Sequence, residues 1–252
     1  MTSTVVIGAA RGIGRAIAED AARSEPKRPL IVADIDVDGV QRLAAELRRD
    51  GIDATALAVN LADESSVISL AEATRGADRV AIAAGIFRAS PAVTTTVSEF
   101  EDVLRVNTMG CFHAAQLYAA RMADADGGAI VAVASVAARM PRMRQAAYSA
   151  SKAALRQALR VLAMEVADRG VRINTVSPGP TDTEMMRQLS GDHAAIDDLA
   201  LGSLEAMRPR IPAGRVALSS EIAYAVTFLL SSASSHVQMA DLVIDGGELL
   251  GM

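Results

Sequence analysis

Apolar residues along this chain fall into two alternating patterns. Short continuous runs bounded by turn residues read as buried strands. They predict strands at 4–7, 29–33, 53–59, 79–83, 128–134, 171–176 and 241–244. Between them lie stretches where apolar positions recur every three or four residues, the spacing of one helix face. These predict helices at 12–23, 37–50, 63–74, 99–122, 147–169 and 219–231. Regular alternation of the two implies an α/β chain with a seven-stranded parallel sheet, right-handed crossovers and helices on both faces. The stretch 184–212 breaks the pattern and carries Gly191, Gly202, Pro209 and Pro212. Two or so short helices are expected between 183 and 208.

Composition narrows the picture. A chain of 252 residues suits one domain with a sizeable core. Half the residues are apolar but only 3 % are aromatic, so alanine-rich helices should pack closely on the sheet. A net charge of −5, with no basic cluster beyond a few arginines, speaks against a nucleic-acid surface. The single cysteine, Cys111, excludes an intrachain disulfide and fits a reducing cytoplasm. Its neighbours Phe112 and Ala114 suggest core or interface. His113, His193 and His236 lack metal-ligand spacing, so no metal is expected. No apolar run reaches the roughly 20 residues of a membrane span, and no leader is expected before the first strand.

Chemistry enters with Tyr148 and Lys152. The chain has three tyrosines and two lysines, and one of each stands four apart. On a helix that spacing puts both side chains on one face. An ammonium beside a phenol favours the ionised form, and a phenol so tuned is a general acid/base for an alcohol or a carbonyl. Ser135, thirteen residues before Tyr148, is a hydroxyl available to the same site.

A second signal lies at the N-terminus. The strand 4–7 runs into Gly8-Ala9-Ala10-Arg11-Gly12-Ile13-Gly14 and then an amphipathic helix. Glycines there allow a sharp turn and close approach to a pyrophosphate, which sits on the helix N-terminus. The second strand ends in Asp34, twenty residues past Gly14. A carboxylate at that place accepts from an adenosine ribose diol and repels a 2′-phosphate, favouring NAD over NADP. Arg11 argues the other way, because a cation in the loop could meet that phosphate.

Together these features resemble the short-chain dehydrogenase/reductase family over essentially the whole chain. The resemblance implies a single Rossmann-type NAD-binding catalytic domain over 1–252, with 184–212 as a substrate lid. Asn107, Ser135, Tyr148 and Lys152 match the family's catalytic residues. It implies a pyrophosphate site on Gly8, Ala10, Arg11, Gly12, Ile13 and Gly14, and an adenosine site on Asp34, Asn60 and Leu61. Ala84, Gly85, Tyr148 and Lys152 would meet the nicotinamide riboside, and Pro178, Gly179, Thr181 and Thr183 would close over the ring. In the implied mechanism Ser135 orients the alcohol, Tyr148 takes its proton, and Asn107 anchors a water that passes the proton onward through Lys152.

Finer motifs, Ala137–Arg142, Pro178–Met185 and Asp241–Gly251, resemble the branch of the family that oxidises a ring hydroxyl of a chorismate-derived cyclohexadiene carboxylate, which then aromatises. The hydroxy acid is the first expectation and its amino analogue the alternative. A 3-oxoacyl-thioester reductase and a non-catalytic nucleotide-binding scaffold are the other readings. An anionic substrate agrees with Arg88, Arg139, Arg142 and Arg144, since a guanidinium binds a carboxylate bidentately. Arg139 and Arg142 lead among them, with Gln145 and Met185 as further pocket residues. Three departures stand out: Ile7, Ile82 and Asn60, where the family usually has threonine, asparagine and aspartate. A polar pair replaced on both sides by apolar groups is nearly neutral, so Ile7 and Ile82 should touch on neighbouring strands. The helices at 99–122 and 147–169 are apolar over more than one stripe, and in the family they pair across a two-fold axis. A homotetramer is therefore expected, with Cys111 near the helical interface.

Overall fold

The computed structural model describes residues 2–190 and 196–251. The strands are β1 (Ser3–Ile7), β2 (Leu30–Asp34), β3 (Ala54–Ala58), β4 (Ala77–Ile82), β5 (Gly128–Val133) and β6 (Val171–Pro178), with two-residue β7 (Thr181–Asp182) and β8 (Ala217–Leu218), then β9 (Asp241–Ile244). The helices are α1 (Gly12–Ser24), α2 (Val37–Arg49), α3 (Glu64–Ala73), α4 (Val97–Leu104), α5 (Cys111–Ala123), α6 (Ala146–Val166), α7 (Glu184–Ser190) and α8 (Ser219–Leu230). Seven strands form one parallel sheet in the order β3-β2-β1-β4-β5-β6-β9. Chain direction across the sheet reverses between β1 and β4. Ligands of such sheets bind above the strand C-termini at that point.

Alternation along each strand sorts the core into two layers. Val5 and Ile7 face a cluster with Val80, Ile82, Ile130, Tyr118, Leu155 and Leu159, under α3, α5 and α6. Val6 points the other way and joins Ile17, Val32, Leu43, Val131 and Val226, under α1, α2 and α8. Asp36 and Asp63 cap α2 and α3 through their carboxylates. Thr96 and Glu99 cap α4 reciprocally.

The expected strands and principal helices are present, within a few residues at their ends. Three features differ. The helix expected at 99–122 is α4 and α5 joined by a π-helical turn over Arg105–Gly110. The helix expected at 147–169 ends at Val166 and finishes in a 3-10 turn, Ala167–Arg169. Parallel pairing of Thr181 with Ala217 and Asp182 with Leu218 closes the base of the 184–212 excursion, a link between residues too far apart for local pattern to reveal. Within that stretch, α7 and a 3-10 turn at Ile196–Leu201 match the short helices expected there. Gly191 and His193 lie outside the described residues. No helix among the described residues is long and apolar enough to cross a membrane.

Ile7 and Ile82 are register partners on β1 and β4. They are 0 % and 1 % exposed and share one core cluster. Ile7→Thr or Ile82→Asn alone would bury a polar group beside an apolar partner. Each is expected to lower unfolding free energy by roughly 1–3 kcal/mol, with the double variant less destabilised than the two losses combined. Urea denaturation of the four proteins measures this, and strictly additive losses would refute the coupling.

Candidate active site

The glycine loop leaves β1 and enters α1 at the switch point. Gly8 has φ +87, and a methyl there would lie 2.4 Å from Ala84 N. A methyl on Gly14 would lie 1.9 Å from Gly8 O. Both positions require glycine, and together they bring backbone close enough to cradle a pyrophosphate at the start of α1. The residues therefore fit a dinucleotide. Asp34 stands at the tip of β2, with Oδ2 accepting from Ala10 N at 3.0 Å and Oδ1 from Asp36 N at 3.0 Å. It is thereby fixed at the edge of the loop. Arg11 turns to the first residue of α7, with Nη1 3.4 Å from Glu184 Oε2 on an exposed surface. Asn60 Oδ1 accepts from Ala62 N at 3.0 Å, which leaves one lone pair for an adenine amine. Leu61 is buried beside it, and Ala84 is half-buried against the loop.

The π turn sets Asn107 where an unbroken helix would not. Its side chain is fully buried and clamps the backbone of Ile86: Ile86 N donates to Oδ1 at 2.8 Å, and Nδ2 donates to Ile86 O at 2.9 Å. Nδ2 also donates to Ser151 Oγ at 3.1 Å, and Ser151 Oγ donates to Tyr148 O at 2.7 Å. Asn107, Ser151 and the first turn of α6 thus form one hydrogen-bonded chain. Lys152 is 4 % exposed and donates from Nζ to Val133 O at 2.8 Å. A methyl on Gly85 would lie 3.2 Å from Asn107 Oδ1 and 3.4 Å from Lys152 Nζ, so both polar groups converge on that glycine. Lys152 Nζ is 5.9 Å from the Tyr148 ring centroid. Phe87 also packs against that ring, tilted, at 4.8 Å between centroids. Ser135, two residues past β5 and nearly buried, caps the 3-10 turn Val136–Ala138, with Oγ accepting from Ala137 N at 3.1 Å. A phenol, an ammonium and an amide are held near one another on rigid elements, and the Ser135 hydroxyl stands two residues past Val133, to which Lys152 is bonded. That set can orient an alcohol or a carbonyl and move its proton.

The segment after β6 folds back against the glycine loop. Thr181 Oγ1 donates to Gly179 O at 3.0 Å. Thr183 lies against Gly12 of the loop, and its Oγ1 accepts from Met186 N at 3.2 Å at the start of α7. Asp245 fixes the C-terminal turn by accepting from Gly247 N at 2.8 Å and Leu249 N at 2.7 Å. Met185 projects from the first turn of α7 and is 42 % exposed.

The arginines divide differently from the expectation that Arg139 and Arg142 would lead in binding a substrate anion. Arg139 Nε and Nη2 both donate to Asp241 Oδ2, at 3.0 and 2.8 Å. Arg156 joins them at 3.0 Å, while Thr175 and Ser177 donate to Oδ1. Burial works against the Asp241 charge, but the bonds from Ser177, Arg156, Arg139 and Thr175 outweigh it and hold the carboxyl below its usual range. Arg142 Nη2 lies 2.6 Å from Glu248 Oε2, with side chains 9 % and 0 % exposed. Arg88 and Arg144 are exposed, and Arg144 O accepts from Ser90 N at 3.0 Å. Gln145 precedes α6, half-buried. Sequence reading missed Ser151, Glu248 and Arg208. Glu248 was signalled only as the acid directly following the Asp245-Gly246-Gly247 turn.

Cys111 belongs to the chain's own core. It is 1 % exposed, its Sγ donates weakly to Ala84 O at 3.7 Å, and burial pushes its thiol up to about 11. No group of three or more metal-ligating side chains exists among the described residues. His113 faces Gln116 and His236 is exposed.

Comparison with known proteins agrees with this geometry. A family model described as enoyl-(acyl carrier protein) reductase, one of the short-chain dehydrogenase models, matches residues 8–248. The 2,3-dihydro-2,3-dihydroxybenzoate dehydrogenase of Bacillus subtilis (strain 168) is 33 % identical, covering 98 % of this chain and 95 % of its own. The D-threitol dehydrogenase of Mycolicibacterium smegmatis is 37 % identical over 96 % of this chain and 91 % of its own. The 3-oxoacyl-(acyl-carrier-protein) reductase of Escherichia coli (strain K12) is 33 % identical over 96 % and 95 %. The solved structure of levodione reductase superposes with a TM-score of 0.89 at 26 % identity, over 100 % of this chain and 98 % of that one. With a matching family model over nearly its full length and these relatives, the chain belongs to the short-chain dehydrogenase/reductase family of nicotinamide-dependent oxidoreductases.

Proposed function

We propose that the protein uses NAD to oxidise a ring hydroxyl of 2,3-dihydro-2,3-dihydroxybenzoate, giving 2,3-dihydroxybenzoate after aromatisation. The observation that carries the substrate is the similarity to the Bacillus subtilis enzyme over almost the whole of both chains. NAD rather than NADP is supported by Asp34, a fixed carboxylate at the tip of β2, and by Arg11 being turned to Glu184. The dinucleotide would lie on the Gly8–Gly14 loop, Asp34, Asn60, Leu61, Ala84, Gly85 and the segment Pro178–Thr183. When bound, it supplies the acceptor for the hydride that leaves the carbinol carbon.

Ser135 holds the ring hydroxyl by its Oγ. Tyr148 takes that hydroxyl's proton. Lys152 has spent one N–H on Val133 O, so two remain for the ribose and for a water against Asn107. Asn107 is held by Ile86 and Ser151, and so fixes that water, through which the proton leaves toward solvent. The ketone then tautomerises, and aromatic stabilisation makes the overall conversion one-way.

The test is NADH formation with 2,3-dihydro-2,3-dihydroxybenzoate, D-threitol and a 3-hydroxyacyl thioester side by side. Preferred oxidation of the cyclic acid is the expected result, and preferred turnover of either other substrate refutes it. The similarity to the Escherichia coli thioester reductase, at equal identity, is what favours the thioester as second reading.

A homotetramer accompanies this proposal. On α6, Leu155, Leu159, Leu162, Ala163 and Val166 are buried in the chain's own core, yet Val161 and Met164 remain 47 % and 67 % exposed. Met109, in the π turn, is 64 % exposed. Sedimentation at micromolar concentration is expected to give a four-chain species, and a monomer there would overturn the assignment. The single buried thiol suits the reducing cytoplasm.

A further inference from the structure

The lid supplies an arginine, Arg208, whose guanidinium forms no ion pair at contact distance among the described residues. Arg208 sits on a hairpin closed by reciprocal backbone bonds with Ser203, both 2.8 Å. That hairpin is rooted on the C-terminal turn. Ile211 and Ala213 lie against Gly246, Pro212 lies against Gly247, and Ala213 N donates to Gly246 O at 3.0 Å. The rooting brings Arg208 within electrostatic reach of Glu248, the residue after the turn, and of Arg142 on the loop leading to Tyr148. Loss of water lowers the pKa of the Arg208 guanidinium; the Glu248 charge works against this, and Arg142 adds a smaller repulsion. Among the described residues no carboxylate stands within ion-pair distance of it.

Charge accounting shows what is lacking. Glu248 is wholly buried and Arg142 nearly so, and their charges cancel at 2.6 Å. The contact is poorly directed, because neither Glu248 oxygen receives a hydrogen bond of good geometry. Arg208 and Arg142 then share the one Glu248 carboxylate, which leaves a half-buried excess of one positive charge. An uncompensated charge away from water is costly, and an entering anion removes that cost. The cluster also borders the expected nicotinamide cover: Glu248 Oε2 lies 3.4 Å from where a methyl on Gly179 would stand.

We propose that Arg208 is the specificity-determining residue of the substrate site, taking the carboxylate of a cyclic acid bidentately while Glu248 holds Arg142 out of that role. The assignment rests on the reaction proposed above for its choice of anion. It differs from the expectation that Arg139 or Arg142 reads the carboxylate. A guanidinium on the lid couples anion binding to lid position, so a neutral ring would gain nothing from it.

Titration calorimetry on the enzyme loaded with its dinucleotide tests this without turnover, using benzoate and its neutral isostere benzamide. The wild-type protein is expected to bind benzoate at least about tenfold more tightly than benzamide, a difference of ~1.4 kcal/mol. Arg208→Gln should erase that preference by weakening benzoate alone. Arg210→Gln, at an exposed neighbour, should change neither probe. An unchanged benzoate affinity in Arg208→Gln overturns the proposal, as does an equal loss for both probes, which would mark a packing role. Wild-type protein without a benzoate preference overturns it too. An Arg208-dependent preference in an enzyme that does not oxidise the dihydro acid supports the anion site and refutes the reaction assigned to it.

Discussion

Tyr148→Phe is expected to lower kcat by about 10²–10⁴-fold or more, with dinucleotide affinity and thermal midpoint nearly unchanged. The Tyr148 phenol is the group proposed to carry the proton, and its ring lies beside Lys152 Nζ and the Phe87 ring. Its ring stays in place without the hydroxyl, because Phe87 and α6 hold the ring and not the oxygen. Steady-state rates with NAD and the ring alcohol, together with calorimetric dinucleotide binding, separate loss of chemistry from loss of fold. Residual activity within tenfold of wild type would assign the proton transfer to another group.

Cofactor selectivity should respond almost as strongly to the tip of β2. Asp34→Ala combined with Ile35→Arg removes a carboxylate and places a cation on a residue that is already 66 % exposed. The ratio of kcat/KM for NAD over NADP is expected to fall by roughly 100-fold, or about 2.7 kcal/mol, since like charges brought together cost several kcal/mol. Asp34 also accepts from Ala10 N and Asp36 N, so some loss of loop order should lower activity with both cofactors. A wild-type enzyme that already prefers NADP would overturn the reading of Asp34.

Much of this architecture was legible because its signals are local. Runs such as Leu30–Asp34 and repeats such as Val40, Leu43, Ala44 and Leu47 specify strand or helix from a few neighbouring residues. The glycine loop was legible for the same reason, as were the residues of the Tyr148–Lys152 turn. What stayed hidden depends on distant partners. Arg139 meets Asp241, 102 residues away. Arg142 meets Glu248, and that pairing changes which arginine is left for an anion. The π turn was hidden for another reason. One added residue per turn at Arg105–Gly110 leaves the apolar spacing on either side almost intact, yet it rotates Asn107 onto the backbone of Ile86.

The pairing of β7 with β8 has an evolutionary consequence. It joins the two roots of a long surface excursion, so everything between Asp182 and Ala217 is a loop whose ends the scaffold has already brought together. Doubling the length of such a loop costs only about 0.6 kcal/mol of closure entropy. With Arg208 of that segment as the proposed anion reader, substrate preference is expected to change on exchanging or lengthening it, while α6 and the turn after β5 keep an unchanged frame.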